Sequence, residues 1–182
     1  MGRRKSKGLR ATPGETARSQ SAASHEQEAV EGDRLSSLLE SIQSKTKEAR
    51  SSDGDKALPE KIWFKRQFAV GVNEVTRTLE RMPPDPPPSE GGNTHQRLQA
   101  VLLASDCDPR WLIRHLPGLA RSRKVPLIYV RDKKHGSSRL GQIANVRTAI
   151  AVGIKARGNA LNRCLEEILH SRMDKLDADD LI

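Results

Sequence analysis

The run Phe68-Ala69-Val70-Gly71-Val72-Asn73-Glu74-Val75-Thr76-Arg77-Thr78-Leu79-Glu80-Arg81 changes its period in the middle. Phe68 to Gly71 is a short apolar strand signal that ends at a glycine. From Asn73 to about Arg81, Val75 and Leu79 fall on one helical face, with Glu74, Arg77 and Arg81 elsewhere. A strand that passes into a helix at a glycine leaves the helix N-terminus open. Its free N–H groups and positive dipole end suit a phosphate.

Three side chains of this run could act together. Asn73 can donate and accept. Glu74 only accepts, so it can read the amino and imino hydrogens of a guanine edge. Arg77 lies one helical turn on and can reach phosphate or base acceptors on the same side. A carboxylate beside a phosphate backbone is costly unless it meets donors, and a base edge opened by non-canonical pairing provides them. A structural reading fits equally well from these residues alone: Asn73 as helix N-cap and Glu74 as a first-turn partner of the dipole.

The chain around this run alternates helix and strand at short intervals. Ahead of it, Pro59 marks a helix start near residue 58. Behind it, residues 82–97 form a Pro-rich loop, extended by composition. Ala100-Val-Leu-Leu-Ala104 reads as a strand buried on both faces. Asp108-Pro109 reads as a helix opener, with Trp111, Leu112, His115, Leu116 and Leu119 following at helical spacing. Residues 125–130 and 149–154 are further strands, with a polar loop at 131–138 and a short helix capped by Ser137 or Ser138 between them. Residues 159–172 form a terminal helix, and 173–182 an acidic tail. The expected class is α/β, a three-layer α/β/α sandwich around a central sheet of about four strands.

The N-terminal third reads differently. Residues 1–34 are poor in large apolar residues and are expected to form a disordered basic arm. In the segment 35–57, Leu35, Leu38, Leu39 and Ile42 at helical spacing fit one amphipathic helix, from Asp33 to about Arg50, then a linker. Met1-Gly2-Arg3-Arg4-Lys5-Ser6 fits a nuclear-import or RNA-binding arm. It also fits a loose myristoylation pattern, which leaves modification of Gly2 open.

Net charge is +9, and residues 99–158 alone carry twelve bases against three acids. The excess therefore sits on the foldable half, which favours a polyanion partner, nucleic acid first. No stretch has the ~18 apolar residues of a membrane span, and no secretory signal core is expected. The two cysteines, Cys107 and Cys164, fit free thiols in a reducing compartment. Asp106 and Asp108 flank Cys107 and should raise its pKa. His95, His115, His135 and His170 join no triad or metal motif, and His115 is expected as a packed helix residue. We therefore expect no enzyme activity, cofactor, metal or small-molecule substrate.

The Phe68–Arg81 run closely resembles the signature helix of the kink-turn RNA-binding ribosomal-protein superfamily (L7Ae/L30e-like). Further resemblances follow in order: Ala104-Ser-Asp-Cys-Asp-Pro109, His115-Leu-Pro117, Val125-Pro-Leu-Ile-Tyr-Val130, Leu140-Gly141 and Val146-Arg-Thr-Ala-Ile150. The likeness spans about residues 60–172. It implies that Asn73, Glu74 and Arg77 contact tandem sheared G·A pairs, with Gly71 and Val72 close to the backbone. The family usually carries Lys where this chain has Arg77. By the same likeness, Asp108, Leu112 and Lys133 hold a flipped-out base, and Val146, Arg147, Thr148 and Ile150 belong to a contacting loop. The 131–139 loop is a few residues longer than is usual in the family.

The run is most similar to the branch of the family found in eukaryotic ribonuclease P and MRP. That resemblance implies a non-catalytic subunit in a nuclear, nucleolar ribonucleoprotein for tRNA and rRNA precursor processing, with other protein subunits as neighbours. A box C/D or H/ACA particle, or the ribosome, would use the same chemistry. A protein-interaction module of the same fold would lose the basic surface and the Asn-Glu-cation trio, and this chain keeps both.

Overall fold

Strand β2 (Leu98–Ala104) is apolar along nearly its whole length because it is covered on both faces. In the computed structural model, which describes residues 29–52, 58–84 and 97–179, it lies inside a four-stranded sheet. The other strands are β1 (Phe68–Val70), β3 (Leu127–Val130) and β4 (Ala151–Lys155), and the order is β1-β4-β2-β3. β2 and β3 run parallel, with Val101 opposite Leu127, and β4 is antiparallel to both β1 and β2.

Two apolar layers flank the sheet, so the architecture is the expected α/β sandwich. One face takes Ala100, Leu102, Ala104, Ile128, Val130, Val152 and Ile154 into a core with α1 (Gly32–Ser52), α2 (Glu60–Gln67), α5 (Gly136–Ile143) and α6 (Ala160–Asp179). The other takes Val101, Leu103 and Ala151 against α3 (Val72–Arg81) and α4 (Leu116–Ser122). The alternation along β2 is the period-2 rule of a strand. A register shift between Leu98 and Ala100 places Leu98 in the second layer with Val101 and Leu103.

Several boundaries differ from the sequence reading. Order begins before residue 35: the Val30 N–H donates to the Tyr129 carbonyl at 2.8 Å, the Arg131 N–H donates to the Val30 carbonyl, and Val30 is buried. The arm expected over 1–34 is thus overturned for residues 29–34, while 1–28 lie outside the described residues. The helix expected from Asp33 to about Arg50 runs from Gly32 to Ser52 and docks, with Leu35, Leu38, Leu39 and Ile42 in the core. Residues 53–57 of the expected linker and 85–96 of the Pro-rich loop also lie outside the described residues. α6 continues to Asp179, so the segment expected as a tail from 173 is largely helical, and 180–182 fall outside the described residues.

The helix expected to open at Asp108-Pro109 is not one helix. Pro109 has extended dihedrals, Arg110–Ile113 form a short 3-10 turn, and α4 starts only at Leu116. Pro117 explains the break. It lacks an N–H and its ring would meet the carbonyl four residues back, so no α-helix passes from Arg110 through it. Neither Asp108 nor Ser137 nor Ser138 supplies a side-chain cap: α5 starts after His135, with no capping bond from a side chain.

Candidate nucleic-acid interface

The sheet topology gathers four connections at one edge. β1, β2 and β3 all end there and β4 begins there, so Gly71–Asn73, Ser105–Asp108, Arg131–His135 and Val146–Ile150 are neighbours. Backbone bonds stitch them: Gly71 N–H to Ala151 O at 2.8 Å, Ala104 N–H to Ile150 O at 2.9 Å, and Ser105 N–H to Val130 O at 2.9 Å. The candidate contact residues lie in these connections, or on α3 and the 3-10 turn that follow two of them.

Gly71 is the N-cap of α3, at φ 94° and ψ 156°, and no side chain caps the helix. The structural reading of Asn73 as N-cap therefore fails. The helix has already begun at Val72, and Asn73 is exposed. Among the first helical N–H groups, those at Val72, Asn73 and Glu74 have no carbonyl a full turn earlier in the helix to bond, whereas Val75 N–H donates to Gly71 O at 3.0 Å. Glu74 sits in this first turn, and its Oε2 lies 3.5 Å from Arg77 Nη1. The two side chains are 46% and 59% exposed, so both are open to a ligand. An exposed pair of this kind contributes little stability, and its effect here is to hold the two groups side by side.

Asp108 and Lys133 are exposed, and Leu112 is half-buried on the 3-10 turn. The loop carrying Lys133 is fixed by a residue that sequence reasoning passed over. Asp106 Oδ2 accepts from the backbone N–H groups of Asp132, Lys134 and Gly136, each at 3.0 Å. Lys133 and Lys134 both adopt positive φ, 44° and 80°. Non-glycine residues there are strained, and the carboxylate's three bonds offset that strain. The same carboxylate, after burial itself, pushes the Cys107 thiol above its ordinary pKa, as its acidic neighbours led us to expect.

The fourth connection rests on Gly141. Val146 N–H donates to Gly141 O at 2.9 Å, and Ala149 N–H donates to Ser137 O at 2.8 Å. A Cβ on Gly141 would stand 2.7 Å from the Val146 carbonyl oxygen and 2.8 Å from Thr148 backbone, so only glycine lets the loop lie this close. The result is a surface on which Val146 is 42% exposed, Arg147 and Thr148 are exposed, and Ile150 is half-buried.

His115 was expected to pack. It is exposed instead, with Nε2 2.7 Å from Thr76 Oγ1, which ties the start of α4 to α3 beside Arg77. The helix break at Pro117 turned it outward. Among the described residues no cluster of three His, Cys, Asp or Glu could hold a metal, and no helix is long and apolar enough to cross a membrane.

A family profile described as the Ribosomal protein L7Ae/L30e/S12e/Gadd45 family matches residues 94–162. The match takes in three of the four connections, with Asp108, Leu112, Lys133 and Val146–Ile150, and stops short of α3. Among solved structures, the chain is similar in fold to the Giardia lamblia 15.5kD RNA binding protein. The identity is 19% and the TM-score 0.52, and the match covers 79% of this chain and 92% of that one.

Proposed function

We propose that this chain is a non-catalytic RNA-binding subunit that recognises a kink-turn in a structured RNA. The observation that carries the reading is the open N-terminus of α3, with Asn73, Glu74 and Arg77 exposed together on the edge where the other three connections meet. Glu74 would accept from guanine amino and imino groups, Asn73 would bridge donors and acceptors of the pair, and Arg77 would neutralise the tightly bent backbone. Asp108, Leu112 and Lys133 would hold a base turned out of the stack, and Val146 to Ile150 would close over the bend. The printed name of the structure with the similar fold, an RNA binding protein, supports RNA as the partner.

The likeness of Phe68–Arg81 to the ribonuclease P and MRP branch supports a place in such a particle. There the chain would hold RNA for tRNA and rRNA precursor processing in the nucleus and would contribute none of the cleavage chemistry; a box C/D or H/ACA particle or the ribosome would use the same interface. Binding assays on a kink-turn hairpin and a straight duplex of equal length test the RNA reading. Glu74→Ala and Arg77→Ala should each weaken kink-turn binding by ~1–3 kcal/mol, the range of a good base-edge contact. Equal affinity of the unsubstituted protein for both RNAs would sink it. Sequencing of RNA crosslinked to the protein in cells would name the particle.

A further inference from the structure

The chain has five Trp, Tyr and Phe residues, and four of them serve the core. Trp63 and Phe68 are buried, and Phe64 and Tyr129 pack against the two apolar layers. Trp111 is the exception: it belongs to neither layer and is 66% exposed. Lone apolar residues on a surface are ordinary, but Trp111 has company. Among the described residues three large apolar side chains are exposed, and two of them, Trp111 and Val146, stand on or just after the connections of the candidate edge. Leaving an indole in water forgoes the burial that the other aromatics gain, and a partner that covers it recovers that gain.

The period of the 3-10 turn sets where the indole lies. With three residues per turn, residues i and i+3 share a face. Arg114 continues the turn with helical dihedrals, and its N–H donates to Trp111 O at 3.4 Å. Ile113 closes one face against the apolar layer of α3 and α4. Leu112 and His115 share the second, and the contact of His115 Nε2 with Thr76 Oγ1 at 2.7 Å turns it toward α3. Trp111 and Arg114 share the third, and both are exposed. Their face is set about 120° around the turn from the one that carries Leu112.

We propose that Trp111 is a stacking platform for an unpaired base of the bound RNA, with Arg114 beside it to meet that nucleotide's phosphate. The proposal rests on the RNA reading above and adds a nucleotide outside the one given to Asp108, Leu112 and Lys133. Charge and position favour RNA as the occupant. Arg110 and Arg114 flank the ring in sequence, residues 99–158 carry twelve bases against three acids, and the turn follows directly on the connection that carries Asp108. The face of a tryptophan stacks on any base, and a guanidinium one turn away supplies charge for the backbone. Trp and Arg also anchor protein interfaces, and a protein partner is the outcome that would replace this one.

Fluorescence of the full chain reads the contact directly, because its two tryptophans differ: Trp63 is buried and Trp111 is exposed. A kink-turn hairpin should quench the exposed emission and shield it from acrylamide. Trp111→Phe should remove that signal yet keep affinity within about threefold, because a phenyl face still stacks, whereas Trp111→Ala should weaken binding about tenfold, within the range of base–aromatic stacking. The melting midpoint should hold in both, since the ring packs in neither apolar layer. Trp111→Ala should leave the log–log salt slope unchanged, and Arg114→Gln should flatten it by about 1, the loss of one phosphate contact. Replacing the hairpin's unpaired nucleotides one at a time by abasic ones should find the partner: at one position the loss matches that of Trp111→Ala, and the two losses do not add. Losses that add at every position would overturn the proposal. So would a Trp111→Ala chain that binds the hairpin as tightly as the unsubstituted one, which would leave the indole to a protein partner. Preference for the hairpin over a straight duplex separates the two readings. A chain that binds both alike fails the bend reading, whereas one that prefers the hairpin with Trp111 emission and acrylamide access unchanged fails this proposal alone.

Discussion

Gly71 joins β1 to α3, and its conformation sets the direction of the whole Asn73-Glu74-Arg77 helix. At φ 94° and ψ 156° it occupies a region of the backbone map that is essentially closed to residues with a Cβ. A Cβ built there meets nothing within 4 Å, so crowding plays no part in the constraint. Gly71→Ala therefore isolates the backbone term. It should destabilise the domain by about 1–3 kcal/mol, read as a lower urea midpoint with an unchanged slope. A loss below a few tenths would show that the strand-to-helix turn tolerates another conformation. The Gly71 position was legible in the sequence, because a glycine between a strand signal and a helix signal has few other uses. The choice between N-cap and ligand contact for Asn73 was not. It depends on whether the helix starts at residue 72 or 74, a matter of one or two residues that periodicity does not resolve.

At the scale of elements, the apolar runs of β2 and β3 and the face of α3 were readable because burial on both faces, or on one stripe, leaves a direct imprint on residue type. Two features left weaker imprints. Pro117 did forbid an α-helix from Arg110 onward, yet the apolar spacing of Trp111, Leu112 and Leu116 obscured the break. Asp106 left no imprint, because its three partners are backbone N–H groups 26, 28 and 30 residues further on. Removing it tests whether it shapes the Lys133 loop. Asp106→Ala takes away all three acceptor bonds and leaves Lys133 and Lys134 in strained conformations. Amide exchange at Asp132, Lys134 and Gly136 should quicken at least about tenfold, matching a loss of about 1.4 kcal/mol or more in local protection. Asp106→Asn keeps one acceptor oxygen and should fall between. Unchanged exchange in Asp106→Ala would mean that the loop is held by its own turn and by Ser137 O.

At the scale of the molecule, α1 decides where the folded unit starts. Its apolar stripe was visible in the sequence, but a stripe does not say which surface it will cover. The structure lays it along α6 and α5, with Val30 bridging to Val130 just ahead of it. Leu35, Leu38, Leu39 and Ile42 are buried there. Each large aliphatic side chain contributes about 1.5–3 kcal/mol on burial, so the four together approach the whole stability of a typical domain, about 5–15 kcal/mol. Two truncations separate the arm from the fold. Deleting residues 1–28 removes the cations Arg3, Arg4, Lys5, Lys7, Arg10 and Arg18 and keeps the Val30 bridge to β3. The melting midpoint should shift by no more than about 2 °C, under 1 kcal/mol for a domain of this size. Affinity for a straight duplex should fall and its salt dependence flatten, because the lost contacts would be with phosphate alone. Deleting residues 1–52 strips the core under α5 and α6 and should abolish the cooperative melting transition followed by circular dichroism. A cooperative transition within a few degrees of the full chain would reduce α1 to an appendage, and the unit that presents Asn73, Glu74 and Arg77 would then begin at α2.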